Sequence, residues 1–254
     1  MKILLLIAAC LCFQSLSAQM NPLDSLIRIK WVTRTEIGYN LFMGDDASRL
    51  KNTVRDLGSI KFNYVIQRRL YAGPAYIAPG IGLAISEWRF DKNLLLTPDS
   101  SNRLLVTEDS TKGRTYGKSK LQIISFRIPV EVGLQIQKFN IAVGGYADIL
   151  LGGKHKRKYE DELVGLDGKK YTQDVRAITD NRADLRLRDF YFGVYGRLAY
   201  RGVGVYAQYQ LNTVFRSEPQ VYAFQAGISF SKTVKTSRKK GNWMDILKPR
   251  SKNT

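Results

Sequence analysis

Hydrophobic and polar residues alternate one by one along much of this 254-residue chain. Such alternation is the pattern of a β-strand whose two faces meet different surroundings, and the main body of the chain shows no sustained helical period. Eight stretches carry the pattern, at residues 36–43, 60–67, 77–85, 124–135, 139–151, 190–200, 203–212 and 222–230. Each stretch is close to the length of a tilted strand that crosses a bilayer.

The connections between these stretches alternate between long and short. The long polar ones are residues 44–58, 91–119 and 152–189, with a shorter one at 216–219, and the tight ones are 69–74, 137–138 and 201–202. Outer-membrane barrels sort their connections in this way, with short periplasmic turns on one rim and longer external loops on the other. The pattern predicts an all-β fold, an eight-stranded antiparallel up-and-down transmembrane β-barrel with long external loops.

The two faces of the predicted strands differ in composition. One is apolar, and the other is rich in Gly, Ala, Ser, Asn and Gln, with charged lumen candidates at Glu36, Arg127, Glu131, Asp148 and Arg197. Small residues and paired charges suit the crowded interior of a small barrel. We therefore expect the apolar face to meet lipid. An inverted barrel with an apolar cavity, as in a soluble lipid-binding carrier, is the alternative.

Aromatic residues near the predicted strand ends fit the interfacial girdles of a membrane barrel. These residues are Trp31, Trp88, Phe90, Phe190 and Tyr222. The alternative for any one of them is packing inside the fold.

The first 18 residues form a segment of their own. Lys2 precedes an apolar run and then a small-residue exit near Ala18, which is typical of a secretory signal peptide. Both cysteines, Cys10 and Cys12, lie in this segment, so we expect the exported chain to contain no disulfide. The predicted organisation is a signal peptide at 1–18, an outer-membrane barrel at 19–231 and a basic periplasmic tail at 232–254.

Charge is concentrated at the C-terminus of a chain with 40 Lys and Arg against 22 Asp and Glu, a formal net charge of +18. Residues 232–254 hold eight basic residues and one acidic residue. An even number of strands returns this tail to the periplasm, where Arg238, Lys239, Lys240 and Trp243 are candidates for contact with a membrane surface or a protein partner. A solvated end is the alternative. Because an exported barrel rarely meets nucleic acid, we expect no nucleic-acid partner.

A family resemblance adds to this interpretation. Residues 125–131, Ser-Phe-Arg-Ile-Pro-Val-Glu, are followed by the strand at 139–151 with its Gly-Gly-Tyr at 144–146, and together they resemble the PorT-like outer-membrane β-barrel proteins of Bacteroidota. The resemblance implies an eight-stranded outer-membrane barrel in a family whose members mostly lack an assigned activity, and PorT itself is tied to type IX secretion. Gln225, Gly227 and Phe230 partly resemble the last-strand signal for barrel assembly, although Lys232 stands where an aromatic residue is expected.

Catalytic chemistry is poorly represented in the sequence. The single histidine, His155, lies among Lys154, Lys156 and Arg157 in a predicted external loop, so we expect a surface residue. No Gly-x-Ser-x-Gly motif and no cluster of His or Cys is present, which predicts no catalytic site, no metal and no cofactor. A lipid-modifying barrel enzyme, with His155 as its base, is the alternative.

The predicted function is therefore structural or interactive. We expect an integral protein of the cell outer membrane, either free-standing or a subunit of an envelope assembly such as a secretion complex. Its expected partners are outer-membrane lipids and an envelope protein that contacts the external loops or the tail. The loop with Lys154, Lys156, Arg157 and Lys158 could bind lipopolysaccharide phosphates or a protein, or serve as a hydrated rim.

Overall fold

The computed structural model describes residues 28–50, 59–90, 93–99, 103–109, 114–164, 170–179 and 185–234. The predicted signal peptide and the tail candidates Arg238, Lys239, Lys240 and Trp243 lie outside these described residues. In this part of the chain, no helix combines the length and apolar character needed to cross a membrane.

Strands make up nearly all of the regular structure. The elements are β1 (Arg28–Met43), α1 (Ala47–Leu50), β2 (Ile60–Ala72), β3 (Ala75–Phe90), β4 (Leu94–Pro98), β5 (Leu104–Glu108), β6 (Arg114–Ile136), β7 (Phe139–Val164), β8 (Lys170–Thr179), β9 (Phe190–Tyr200), β10 (Val203–Gln210) and β11 (Tyr222–Val234).

Eight of these strands close into a ring. The order around it is β1, β2, β3, β6, β7, β9, β10 and β11, and each strand runs antiparallel to its neighbours. The ring closes because β11 pairs with β1, from Trp31 opposite Val234 to Met43 opposite Tyr222. Closure leaves no unpaired sheet edge around the ring, which is what a hydrocarbon environment requires. The predicted eight-stranded antiparallel barrel is confirmed.

The tight connections lie together on one rim, which we call the lower rim. They fall at residues 73–74, 137–138 and 201–202, so the last two predicted turns match and the first is shorter than predicted because β2 continues to Ala72. Arg201 and Gly202 both have positive φ, 52° and 89°, as a two-residue hairpin turn requires. The longer connections lie on the opposite, upper rim.

Several strands extend beyond their predicted ends, and those boundaries were wrong. β6 begins inside the predicted loop 91–119, β7 continues to Val164, and β8 pairs with this extension from His155 opposite Thr179 to Val164 opposite Lys170. β4 and β5 form a separate hairpin in the same predicted loop. Hydrophobic alternation misses the extension of β7, because both of its faces are polar. At the other end, β1 begins at Arg28, and β11 continues to Val234 beyond the predicted barrel boundary at 231.

The predicted assignment of faces holds along the ring. Apolar side chains such as Val143 and Val205 are 58% and 59% exposed on the outside, whereas Glu131 is fully buried inside. The inverted barrel is therefore not the observed arrangement. The predicted aromatic girdle needs a correction, because Trp88 and Phe90 point inward and are 2% and 6% exposed. Successive residues of β3 face opposite sides of the sheet, so Glu87, between Ser86 and Trp88, faces outward.

Candidate functional site

The interior of the barrel has three levels, and the middle one is a network of buried charges. Among the described residues, the buried charged groups are five cations and three carboxylates, namely Arg34, Lys61, Arg69, Arg127, Arg197, Glu36, Glu131 and Asp148. The set includes all five lumen candidates from the sequence. Each residue occupies an inward position on its strand, because alternate residues of a strand face the lumen.

Glu131 is the centre of the lower part of this network. Its carboxylate accepts hydrogen bonds from the guanidinium groups of Arg34 and Arg197, the latter at 3.0 Å. The hydroxyl groups of Tyr76 and Tyr195 also donate to it, at 2.7 and 3.2 Å. These four donors come from three strands, β1, β3 and β9, so the carboxylate on β6 links different walls of the barrel.

A second centre lies above it, where Arg127 and Asp148 face each other across β6 and β7. Nε and Nη2 of Arg127 donate to the two carboxylate oxygens of Asp148, both at 2.7 Å. The Arg127 guanidinium also lies 4.1 Å from the ring centroid of Tyr146 and donates to Gln208 at 2.9 Å. Bidentate pairs of this kind fix the position of both side chains.

Glu36 connects the network to β1 and β2. One carboxylate oxygen lies 2.9 Å from Nε of Arg34, and the other accepts a hydrogen bond of 2.9 Å from Asn63. Sequence reasoning missed three of the interior cations, Arg34, Lys61 and Arg69. Arg34 lies two residues before Glu36, just outside the predicted strand 36–43, and Arg69 fell in a predicted turn. Extending each predicted strand by two residues would have placed both arginines on the inward face.

The upper level is apolar. Phe42 and Trp88 stack with ring centroids 4.8 Å apart and planes 6° apart. Around them lie side chains from the barrel walls and from the upper connections: Leu50, Phe90, Leu94, Leu96, Leu104, Leu121, Ile123, Leu150, Leu185, Leu187, Tyr191, Val214, Phe215, Val221 and Ala223. We call this set the upper cluster. It fills the space under the long connections and separates the charge network from the upper rim.

His155 belongs to this upper level, and the expectation of a surface residue was wrong. It is 2% exposed and lies above Leu151, an outward apolar residue of β7. Its Nε2 is 3.2 Å from Oγ of Ser119, and its ring meets the edge of Phe90. Burial, with the nearby cation Arg157, lowers the pKa of His155 to about 4, so the imidazole is neutral at pH 7. The β7 extension, which the sequence pattern did not predict, turns this side chain inward.

The lower level is an open polar cavity at the lower rim, with a volume of about 450 Å³. Six basic residues line it: Lys30, Arg69, Lys138, Arg197, Arg201 and Lys232. Among the described residues that line it, none is acidic. We call it the basic vestibule. It lies directly beneath the charge network, to which Arg197 also belongs.

Arg69 is the least satisfied cation of the vestibule. It is 5% exposed, and its Nε and Nη2 have no hydrogen-bond partner. The nearest carboxylate, Glu131, is 3.8 Å from Nη2, and the guanidinium stacks 4.7 Å from the ring centroid of Tyr76. A buried guanidinium with two nitrogens that lack hydrogen bonds is costly, and an anion in the vestibule would relieve that cost. Among the described residues, no three His, Cys, Asp or Glu side chains lie close enough together to bind a metal ion.

Comparisons with known proteins find a distant structural likeness. No family model and no curated protein matches the sequence. The crystal structure of Neisserial surface protein A is similar over 80% of this chain and 98% of that chain, with 11% identity and a TM-score of 0.34. A variant of Rh. blastica porin is similar over 81% and 100%, with 14% identity and a TM-score of 0.15. At such scores the likeness carries no argument, and the barrel rests on its own strand pairing.

Proposed function

We propose that the protein is an integral outer-membrane β-barrel with a closed interior, which acts as a structural or interaction component of the cell envelope. The observation that carries the proposal is an apolar belt around a closed ring of strands. A ring with an apolar outside and a charged inside is stable in lipid, where every backbone polar group must be paired within the protein.

The apolar belt involves outward residues of all eight strands of the ring. Its members are 38% to 59% exposed and include Ile37, Phe62, Ile66, Ile77, Ile81, Leu83, Val130, Val132, Leu134, Phe139, Ile141, Val143, Phe190, Phe192, Val194, Leu198, Val203, Val205, Ile228 and Phe230. Soluble monomers rarely expose a continuous apolar surface larger than a few hundred Å², roughly the size of a single binding patch. A continuous belt is therefore best explained by contact with hydrocarbon.

The contents of the lumen favour a closed barrel over a pore. Eight strands enclose a space that side chains can fill. Arg127, paired with Asp148, reaches across this space to Gln208, and Glu131 binds Arg34 from another wall. The upper cluster covers this network. A solute passing through would have to separate buried ion pairs and displace packed aromatic rings. Both steps are energetically costly.

The interior also favours a non-enzymatic role over the lipid-modifying alternative. The nearest arrangement to a nucleophile and base is Ser119 with His155, and both side chains are 2% exposed. A substrate would have to enter the upper cluster to reach them. His155 has no carboxylate bonded to its second ring nitrogen among the described contacts, so the orienting group of a triad is not supplied.

The lower rim supplies the interaction surface. Tight turns face the periplasm in barrels of this class, so the basic vestibule and the start of the tail at Lys232 would open there. We propose that a negatively charged envelope protein docks on this rim, with the basic tail adding to the attraction. The resemblance to PorT-like proteins makes a secretion assembly the first candidate for such a partner.

Membrane fractionation and gel migration test the proposal. The full chain should remain in the membrane fraction after a urea wash, and its gel migration should shift after heating, because folded barrels resist dodecyl sulfate until they are boiled. In planar bilayers the purified protein should give no steady conductance. Recovery as a monodisperse protein in buffer without detergent would overturn the membrane assignment, and stable open channels would overturn the closed interior.

A further inference from the structure

A group of six basic side chains lies on the outside of the barrel, just above the apolar belt. It consists of Arg89 on β3, Lys118 and Lys120 on β6, Lys156 and Lys158 on β7 and Arg176 on β8. We call it the basic collar. Five of its members, all except Arg89, line one shallow depression.

The strand register places these residues on one face. Lys120 lies opposite both Arg89 and Lys156, and Lys158 lies opposite both Lys118 and Arg176. Cross-strand partners share a face of the sheet. On β6 the collar continues the outward parity of Ile124, the next outward apolar residue below it, through Gln122. The collar therefore lies on the same outer face of the barrel as the belt.

Cations placed opposite each other repel, and the described residues compensate the collar only in part. Like charges directly across two strands destabilise the pair. The carboxylate bonded to the collar is that of Glu87, which lies 2.6 Å from Nζ of Lys120. Burial lowers the pKa of Lys118, and Arg89 and Lys120 lower it further. The protein thus holds a surplus of positive charge in one place.

On β7 and β8, acidic residues lie farther from the membrane than the collar residues of those strands. Glu160 and Asp174 face each other two residues beyond the pair of Lys158 and Arg176, and Glu162 follows next on β7. On β7 the outward charges are therefore sorted by height, with Lys156 and Lys158 nearest the apolar belt, whereas on β3 Glu87 lies nearer the belt than Arg89. A rim that served only for hydration would have no need of this order.

The height of the collar matches the headgroup layer of a bilayer. Lys120 is four residues above Ile124, which corresponds to about 13 Å along the strand and about 10 Å along the barrel axis at the usual strand tilt. Polar headgroups occupy roughly the first 5–8 Å beyond the hydrocarbon on each side. A lysine side chain can reach down several ångströms from its backbone, so the ammonium groups lie at the level of lipid phosphates.

We propose that the basic collar binds the phosphate groups of a phosphorylated lipid in the outer leaflet. The proposal rests on the proposed function, because it needs the apolar belt to lie in the membrane. Lysine ammonium groups supply positive point charges, while Arg89 and Arg176 can donate two parallel hydrogen bonds to one phosphate. Bound phosphates would also remove the repulsion among the facing cations.

Lipid binding by the folded full chain tests the proposal. The probe is lipid A carrying two phosphates, added to the protein in a zwitterionic detergent and measured by native mass spectrometry. The collar variant is Lys118→Gln, Lys156→Gln and Lys158→Gln together. We expect its affinity for the lipid to fall by roughly tenfold or more, with a weaker dependence on salt. Dephosphorylated lipid A should bind the original protein as poorly as lipid A binds the variant.

The matched control removes three lysines from the lower rim, Lys30→Gln, Lys138→Gln and Lys232→Gln. Its affinity for lipid A should stay within about twofold of the original. An equal loss in both variants would mean attraction by net charge alone and would overturn the proposal. The same is true if inorganic phosphate binds the collar and lipid A does not compete with it.

The proposed function is tested separately, by two further measurements on the same samples. Heat-dependent gel migration and insertion into phosphocholine vesicles show whether the barrel folds and enters a membrane. Neither measurement requires lipid A. Both variants should retain them, since none of the six substituted lysines belongs to the apolar belt. If the protein inserts normally but does not bind lipid A, the proposed lipid site at the collar is wrong and the proposed membrane location stands.

Discussion

The two ends of the barrel interior are built on the same strands but filled in opposite ways. The upper end is apolar, and its imidazole, His155, is held neutral. The lower end is open, basic and short of hydrogen-bond partners, as Arg69 shows. Alternation along a strand therefore sets which side chains face inward. Inward side chains near the upper rim pack against each other, whereas those near the lower rim line an open cavity.

The two fillings also differ in where their residues come from. The upper cluster takes Leu50, Leu185, Leu187 and Phe215 from the connections between strands, which fold inward over the lumen. The basic vestibule is lined by the ends of strands and by the tight turns, which are too short to cover it. Long connections therefore close one end of the barrel, and short turns leave the other end accessible.

The largest effect is expected in the charge network between the two ends, with Arg34→Met. Arg34 bonds Glu131 and pairs with Glu36, so its loss leaves two buried carboxylates with fewer donors. Breaking a buried pair from one side costs about 3–5 kcal/mol. Urea unfolding in lipid vesicles should show this loss. Glu162→Gln, which breaks the exposed pair with Lys170, is the control and should cost less than about 1 kcal/mol.

The upper cluster should tolerate truncation slightly better. Leu187→Ala removes a side chain that is 1% exposed and should cost about 2–4 kcal/mol through lost burial and a new cavity. It should also increase proteolysis of the upper connections, because Leu187 anchors them to the cluster. Leu105→Ala, at a position 43% exposed, is the matched control. Equal destabilisation by both variants would contradict a packed upper end.

The sequence predicts the wall of the barrel well and its filling only in part. Parity along β6 was enough to send Arg127 and Glu131 inward. The contact between Arg34 and Glu131 was not predictable, because the two residues are 97 positions apart and meet only across the closed lumen. His155 was misplaced because the β7 extension is polar on both faces. Trp88 was misplaced because its position near a strand end was given more weight than its parity.

Acid should weaken the upper end through His155. The folded pKa of about 4 lies below the usual 6.5, so the unfolded chain binds the proton more readily. This contribution to stability is full above pH 6.5 and declines as the pH falls toward 4. Between pH 7.5 and 4.5 the loss should be on the order of 2 kcal/mol. His155→Leu should remove this component of the urea-unfolding profile, and an unchanged profile would contradict burial of a neutral imidazole.

The smallest effect on stability is expected in the basic vestibule, with Arg69→Met. Unlike Arg34, this guanidinium has two nitrogens without hydrogen-bond partners, and Glu131 keeps its other four donors when it is gone. The free energy of unfolding should change by less than about 1 kcal/mol, in either direction. Binding of a probe such as inorganic phosphate at the lower rim should nevertheless weaken, measured by calorimetry in detergent. A loss of stability as large as that of Arg34→Met would mean that Arg69 is part of the structural network, and the functional distinction between the two ends would fail.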